Sequence, residues 1–202
     1  LGTFDAVTLN NLGNSGWNFF LDNTMSGNDD SGIYFDARLL IQEGAVSGAA
    51  GFSPGTPYIG FFETKLNDLD AVLVMASVDD PAVASTVDRA LVLLDAPGGV
   101  LTGEAVVLKE GDAAPGTAEF VTDFGTGPHN FDFNNQRDVL FEAELTGPTT
   151  QNSAIYKNTT LLAREGDPSP VVGRNWGSLS SPELSINNGG EGAFSVALSG
   201  DT

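Results

Sequence analysis

Residues 31–44 read SGIYFDARLLIQEG, and residues 153–166 read SAIYKNTTLLAREG. The two stretches align without a gap, and Ser, Ile, Tyr, Leu, Leu, Glu and Gly recur at seven of 14 positions. A looser middle copy begins at Ala90-Leu91-Val92 and ends at Val106-Val107-Leu108-Lys109-Glu110-Gly111-Asp112, with an insertion around Pro97-Gly98-Gly99. Repetition at this spacing marks a supersecondary unit used several times.

A second element precedes each copy. Its fullest form is Asn187, Gly190, Ala193, Phe194, an Asn-x-x-Gly-x-x-small-aromatic pattern. The earlier versions are Asn10, Gly13, Gly16, Trp17; then Asn67, Asp70, Leu73, Val74; then Asn134, Arg137, Leu140, Phe141. From the last motif position onward, alternate residues form an apolar face: Trp17/Phe19/Leu21, Val74/Ala76/Val78, Phe141/Ala143/Leu145 and Phe194/Val196/Leu198. Period-2 alternation over short runs specifies strands. It predicts Trp17, Val74, Phe141 and Phe194 to be equivalent and buried, with Glu142 and Glu144 on a solvated side. The Asn and Gly before each strand suit a tight turn with positive φ.

Each unit therefore offers four strands. A lead strand (3–7, 58–63, 119–124, 175–179) is followed by the Asn-x-x-Gly strand, an Ile-Tyr strand and a Leu-Leu strand closed by Glu-Gly. The segments at Glu110-Gly111-Asp112 and Glu165-Gly166-Asp167, each followed by Pro, stop the fourth strand. Residues 79–94 leave room for one turn or a short helix, with Pro81 near its start. Units of roughly 50–65 residues with four strands each predict an all-β, β-propeller-like chain. The expected organisation is a single repeat domain over 1–202, with units at about 1–51, 52–116, 117–171 and 172–202 and the last incomplete. A β-sandwich or β-solenoid built from the same hairpins is the alternative.

These paired motifs in fixed order resemble a bacterial tandem-repeat family named for its Asn-x-x-Gly-x-x-Ala-Phe motif, the choice-of-anchor tandem repeat proteins. The matching text is NNGGEGAFSVALSG (187–200), FNNQRDVLFEAELTG (133–147) and the two Arg/Lys-Glu-Gly-Asp segments. The resemblance covers most of the chain. It implies a secreted or surface-anchored, extracellular repeat scaffold, and it implies no catalytic residues.

Charge narrows the partners. The 202 residues carry 27 acidic and 8 basic side chains, a net charge of −19. The cations (Arg38, Lys65, Arg89, Lys109, Arg137, Lys157, Arg164, Arg174) are scattered, so binding to nucleic acid or an anionic membrane surface is not expected. With no cysteine, disulfides and thiolate chemistry are excluded. No run of 18 apolar residues is present, so no membrane-spanning helix is expected in this chain. The first residue is Leu1 rather than Met, as in a processed N-terminus.

Candidate chemistry is sparse. The one histidine, His129, lies in a turn-like loop without an evident partner, which fits a surface residue better than a general base. Glu43, Glu110 and Glu165 recur in every repeat, and recurrence fits a role in the fold, since catalysis needs one asymmetric site. No enzyme is expected. The loop 22–32 is rich in hard oxygen ligands, and Asp22, Asn28, Asp29 and Asp30 are candidate Ca2+ ligands, although their spacing is not that of an EF-hand. No other cofactor is expected. Asn158-Thr159-Thr160 is the one N-glycosylation sequon. Tyr34, Tyr58, Tyr156 and Trp176 are read either as sugar-binding or as core aromatics.

With the four strand positions lettered a to d, the chain reads abcd, abcd, abcd, ab. The last b strand, 191–198, is left with an open edge carrying Phe194, Val196 and Leu198. An unpaired edge invites another strand. It comes either from a continuation of a longer repeat protein or from a neighbouring copy, which would build a filament. The expected function is a non-enzymatic extracellular or cell-surface structural subunit, a homo-oligomer or filament. A glycan- or calcium-binding adhesion module is the alternative, and a polysaccharide-active enzyme ranks third.

Overall fold

The computed structural model describes residues 4–21, 24, 29–83, 88–125, 129–180 and 182–200. It is all-β, and the one helical element among the described residues is a 3-10 turn at Pro97–Gly99. The segment expected to have room for a turn or a short helix makes a turn at Pro81-Ala82 and runs into a strand at Arg89, with residues 84–87 outside the described residues. Contacts divide the chain into two compact units, Leu1–Lys109 and Glu110–Thr202.

The first unit holds two four-stranded antiparallel meanders. Strands β1 (Phe4–Leu9), β2 (Ser15–Phe20), β3 (Ser31–Phe35) and β4 (Arg38–Gln42) pair in chain order. So do β5 (Tyr58–Leu66), β6 (Ala71–Val78), β7 (Arg89–Asp95) and β8 (Gly103–Lys109). The second unit holds a third sheet, in which β10 (Phe131–Phe133), β11 (Val139–Leu145), β12 (Ser153–Lys157) and β13 (Thr160–Arg164) pair in order. A further strand, β9 (Val121–Asp123), also pairs with β11. Two smaller pairings complete this unit: β15 (Glu183–Ile186) with β16 (Gly192–Ser195), and β14 (Asn175–Trp176) with β17 (Leu198–Ser199).

The four Asn turns are one structure used four times. Asn10 Oδ1 accepts the N–H groups of Leu12 (3.1 Å) and Asn14 (2.8 Å). Asn67 does the same for Leu69 and Ala71, Asn134 for Gln136 and Asp138, and Asn187 for Gly189 and Glu191, all at 2.9–3.0 Å. The side chain thus supplies the acceptor that a tight turn otherwise lacks. The third residue after each Asn is left-handed, with φ of +87° at Gly13, +57° at Asp70, +66° at Arg137 and +82° at Gly190.

The c–d hairpins repeat down to their irregularities. A register break falls at Ile33/Tyr34, Leu91/Val92 and Ile155/Tyr156. Ser31 and Ser153 each donate a hydroxyl to the carboxylate twelve residues on, Glu43 and Glu165, at 3.2 and 2.9 Å. The following Gly44, Gly111 and Gly166 donate their N–H groups to the next lead strand at Tyr58, Val121 and Trp176, at 2.8–2.9 Å. The Glu-Gly step is therefore the joint between one repeat and the lead strand of the next.

Two expectations change. The lead strands at 119–124 and 175–179 are not single strands: each is broken into two pieces, β9 with β10 and β14 with β15. Pro182 lies in the second gap, and proline has no N–H to give a ladder. Glu142 is not solvated but 2% exposed. Its face of β11 packs against β15, so alternation puts it inside.

In the first unit Ile33, Phe35 and Ile41 of one sheet form a core with Val74, Ala76, Val78 and Val92 of the next. Asn18 ties the layers, its Nδ2 donating to the carbonyls of Phe61 (2.8 Å) and Phe62 (3.1 Å). In the second unit Leu140, Ile155 and Ala163 pack against Leu184 and Ile186, with Phe194 and Val196 at the margin. One rule covers both: the face bearing the motif aromatic or its equivalent packs onto the opposite face of the preceding sheet.

Candidate functional site

The fourth motif repeat is where the pattern stays open. In the three sheets before it the b strand lies between two partners, and Phe141 stacks on Tyr156 of the c strand with ring centroids 5.4 Å apart. Strand β16 pairs only with β15 among the described residues. Asn187 N–H donates to Glu191 C=O at 3.0 Å, so the next hydrogen-bonded pairs in register are Ser185↔Ala193 and Glu183↔Ser195. The peptide N–H and C=O of Phe194 therefore point outward, away from β15.

Of the three residues expected on one open edge strand, only Phe194 lies in β16; Val196 follows it, and Leu198 lies in β17, paired with Trp176 of β14. Phe194 is half-buried and lies 5.7 Å from the Trp176 ring. Val196, between β16 and β17, is also half-buried, and Leu198 is 39% exposed. With Pro170, Val171 and Trp176 they border a groove of about 430 Å3. Phe194 thus differs from its equivalents Val74 and Phe141, each 1% exposed. Trp17 is likewise only half-buried, so two of the four motif positions are fully covered.

The Asn turns also stack in pairs. Asn10 Nδ2 donates to Asn67 C=O and Asn134 Nδ2 to Asn187 C=O, both at 3.0 Å. The next residue repeats the link: Asn11 N–H donates to Asp68 Oδ1 (2.7 Å) and Asn135 N–H to Asn188 Oδ1 (2.9 Å). Asn187 directs its own Nδ2 to the exposed Glu191 carboxylate of the same turn, at 2.9 Å. The signal for this ladder is in the sequence, because an Asx residue follows the motif Asn in all four turns (Asn11, Asp68, Asn135, Asn188). The Asn-x-x-Gly reading passes over it.

The remaining candidates fall as follows. Asp22 and Asn28 lie outside the described residues. Asp29 C=O accepts a bond from Gln42 Nε2 (2.6 Å), and Asp30 C=O one from Leu21 N–H. No group of three or more His, Cys, Asp or Glu able to hold a metal ion occurs among the described residues. His129 is exposed, and its carbonyl accepts Leu184 N–H at 3.0 Å. Asn158 uses both amide atoms on the neighbouring strand, accepting Val139 N–H (2.8 Å) and donating to Asp138 (2.9 Å). Tyr58 and Tyr156 are core residues, at 1% and 0% exposure, whereas Tyr34 and Trp176 are half-buried. Burial pushes the Tyr58 hydroxyl far above its ordinary range and that of Tyr156 up to about 12. Tyr58 donates to Glu104 at 2.8 Å.

A family model described as a family of unknown function, DUF7453, matches residues 1–160. No curated protein and no solved structure matches the chain.

Proposed function

The chain belongs to this family of unknown function, and from that footing we propose that it is a non-enzymatic structural subunit, self-assembling outside the cell through β surfaces that its own sheets leave open. The observation that carries the reading is the outward main chain of Phe194 on a strand with one partner, beside a groove lined by Trp176, Val196 and Leu198. A strand of the kind that covers Phe141 would satisfy those peptide groups and bury the ring. Burying Phe, Val and Leu side chains is worth roughly 1.5–3 kcal/mol each before ordering costs. The successive meanders, with Glu-Gly at each joint, support a propeller-like, blade-by-blade reading of the architecture. The motif resemblance supports an extracellular or cell-surface location.

Substitution at one residue tests it. Pro at position 194 removes the outward N–H while leaving the pairing to β15, because Pro is tolerated on an edge strand facing away from its ladder. Phe194→Pro abolishes association at this edge, and Phe194→Leu, which keeps the N–H and an apolar side chain, retains it. Equal association of both variants by light scattering contradicts assembly through β16.

A glycan-binding module is the second reading, favoured by the half-exposed Trp17 and Tyr34. Titration of soluble glycans against Trp fluorescence separates the two.

A further inference from the structure

Among the described residues, the first sheet of the first unit and the last hairpin of the second unit each present a face with exposed residues. On the first sheet, alternation places Ala6, Thr8, Gly16, Asn18 and Ile33 toward the second sheet. The opposite face carries Val7, Leu9, Trp17, Phe19, Tyr34 and Leu39. Leu9 is 71% exposed, and Val7 and Leu39 are close to half exposed. Trp17 and Phe19 stack at 5.2 Å, and Phe19 meets Tyr34 edge-on at 5.4 Å. This is the motif-aromatic face, the one that packs onto a preceding sheet in the second and fourth repeats. In the second unit, the β15–β16 hairpin turns Leu184, Ile186 and Phe194 toward the third sheet and presents Glu183, Ser185, Ala193 and Ser195 outward, all exposed.

The turns give a matching polarity. Each observed rung runs from the motif Asn of one turn to the carbonyl of the next, with the following Asx alongside. At the fourth turn the donors Asn187 Nδ2 and Asn188 N–H stand on the exposed side. At the first turn the acceptors are Asn10 C=O and Asn11 Oδ1. Both of these turns carry neutral Asn at the second position, so this rung joins without apposing two carboxylates in a chain of net charge −19.

We propose that the outer face of the first sheet seats on the β15–β16 hairpin of a second copy, with Asn187 and Asn188 of one copy donating to Asn10 and Asn11 of the next. The proposal rests on the self-assembly reading and names one of its contacts, a head-to-tail one separate from strand addition at β16. The contact is heterologous, so repetition builds an open chain of copies. Burial of the aromatic face supplies the apolar area, and the Asn rung fixes the register.

The absence of cysteine makes cross-linking a clean test. Copies carrying Asn11→Cys and copies carrying Asn188→Cys are mixed and oxidised, since a disulfide forms only between closely apposed residues. The expected result is an 11–188 linked dimer in the mixture, no 11–11 or 188–188 dimer from either variant alone, and a ladder of multimers from a chain carrying both. Leu9→Glu, which places a charge on an exposed residue of the seating face, lowers the cross-linking rate about tenfold or more with an unchanged melting temperature. Wild-type association without 11–188 cross-links overturns this contact and leaves assembly through β16 standing. A wild-type chain that is monomeric throughout overturns both. Loss of glycan binding on Leu9→Glu, with no cross-link in the unsubstituted face, assigns the aromatic face to sugar and overturns the contact as well.

Discussion

Glu142 sits 2% exposed on β11, with Gly125 N–H donating to one carboxylate oxygen at 3.3 Å. Its other oxygen and the nearby buried Asn130 amide nitrogen make no hydrogen bond among the described residues. Burial pushes its pKa up to about 8 from 4.5, the carboxylates of Glu144 and Asp123 push the same way, and the Gly125 bond opposes them. The native state therefore holds a proton that the unfolded chain has released between about pH 4.5 and pH 8. Its stabilising contribution is complete below that window and is lost as pH rises through it, by about 2–5 kcal/mol. In Glu142→Gln this decline flattens, which denaturant melts of both proteins at pH 5 and pH 8 resolve; parallel declines would show that Glu142 does not carry it. The turn residues make a second test. Gly13 has φ of +87°, and no atom beyond its two chain neighbours lies within 4 Å of where a Cβ would sit, so Gly13→Ala isolates the backbone cost of about 1–2 kcal/mol. Gly13→Asn costs less, because Asn tolerates the left-handed region.

The strands themselves separate covered from open positions. Phe141 is enclosed between β10 and β12 and stacked on Tyr156, whereas its equivalent Phe194 has one partner strand. Phe141→Ala costs about 3–5 kcal/mol and Phe194→Ala about 1 kcal/mol in the unassociated chain, measured by urea melts at low salt. Comparable losses would mean that the fourth hairpin is covered within its own chain. The strand positions are legible because alternation, the Asn turns and the Glu-Gly stops recur in register. The broken lead strands are not, since Glu119-Phe120-Val121 and Phe131-Asp132-Phe133 lie in different pieces of one lane and no local pattern joins them. Glu142 defeats the sequence reading for a related reason. Alternation tells which residues share a face, but only the docking of β15 on β11 tells that both faces of this strand are covered. The aromatic face of the first sheet shows the converse. Trp17 has the pattern of a buried residue, and what covers it is not written in its own strand.

For the whole molecule, the opposing terms are the apolar surface left open on both units and a net charge of −19. Repulsion between copies reaches about 30 Å at 0.01 M salt and about 8 Å at physiological ionic strength, so association strengthens as salt is added. That direction distinguishes apolar and amide contacts from ion pairing, which salt would weaken. The most direct measurement is sedimentation velocity on the intact chain over a concentration series at low and high salt. A 21.0 kDa monomer is expected at low salt and a concentration-dependent series of larger species at high salt. A single 21.0 kDa species at every salt and protein concentration would contradict it.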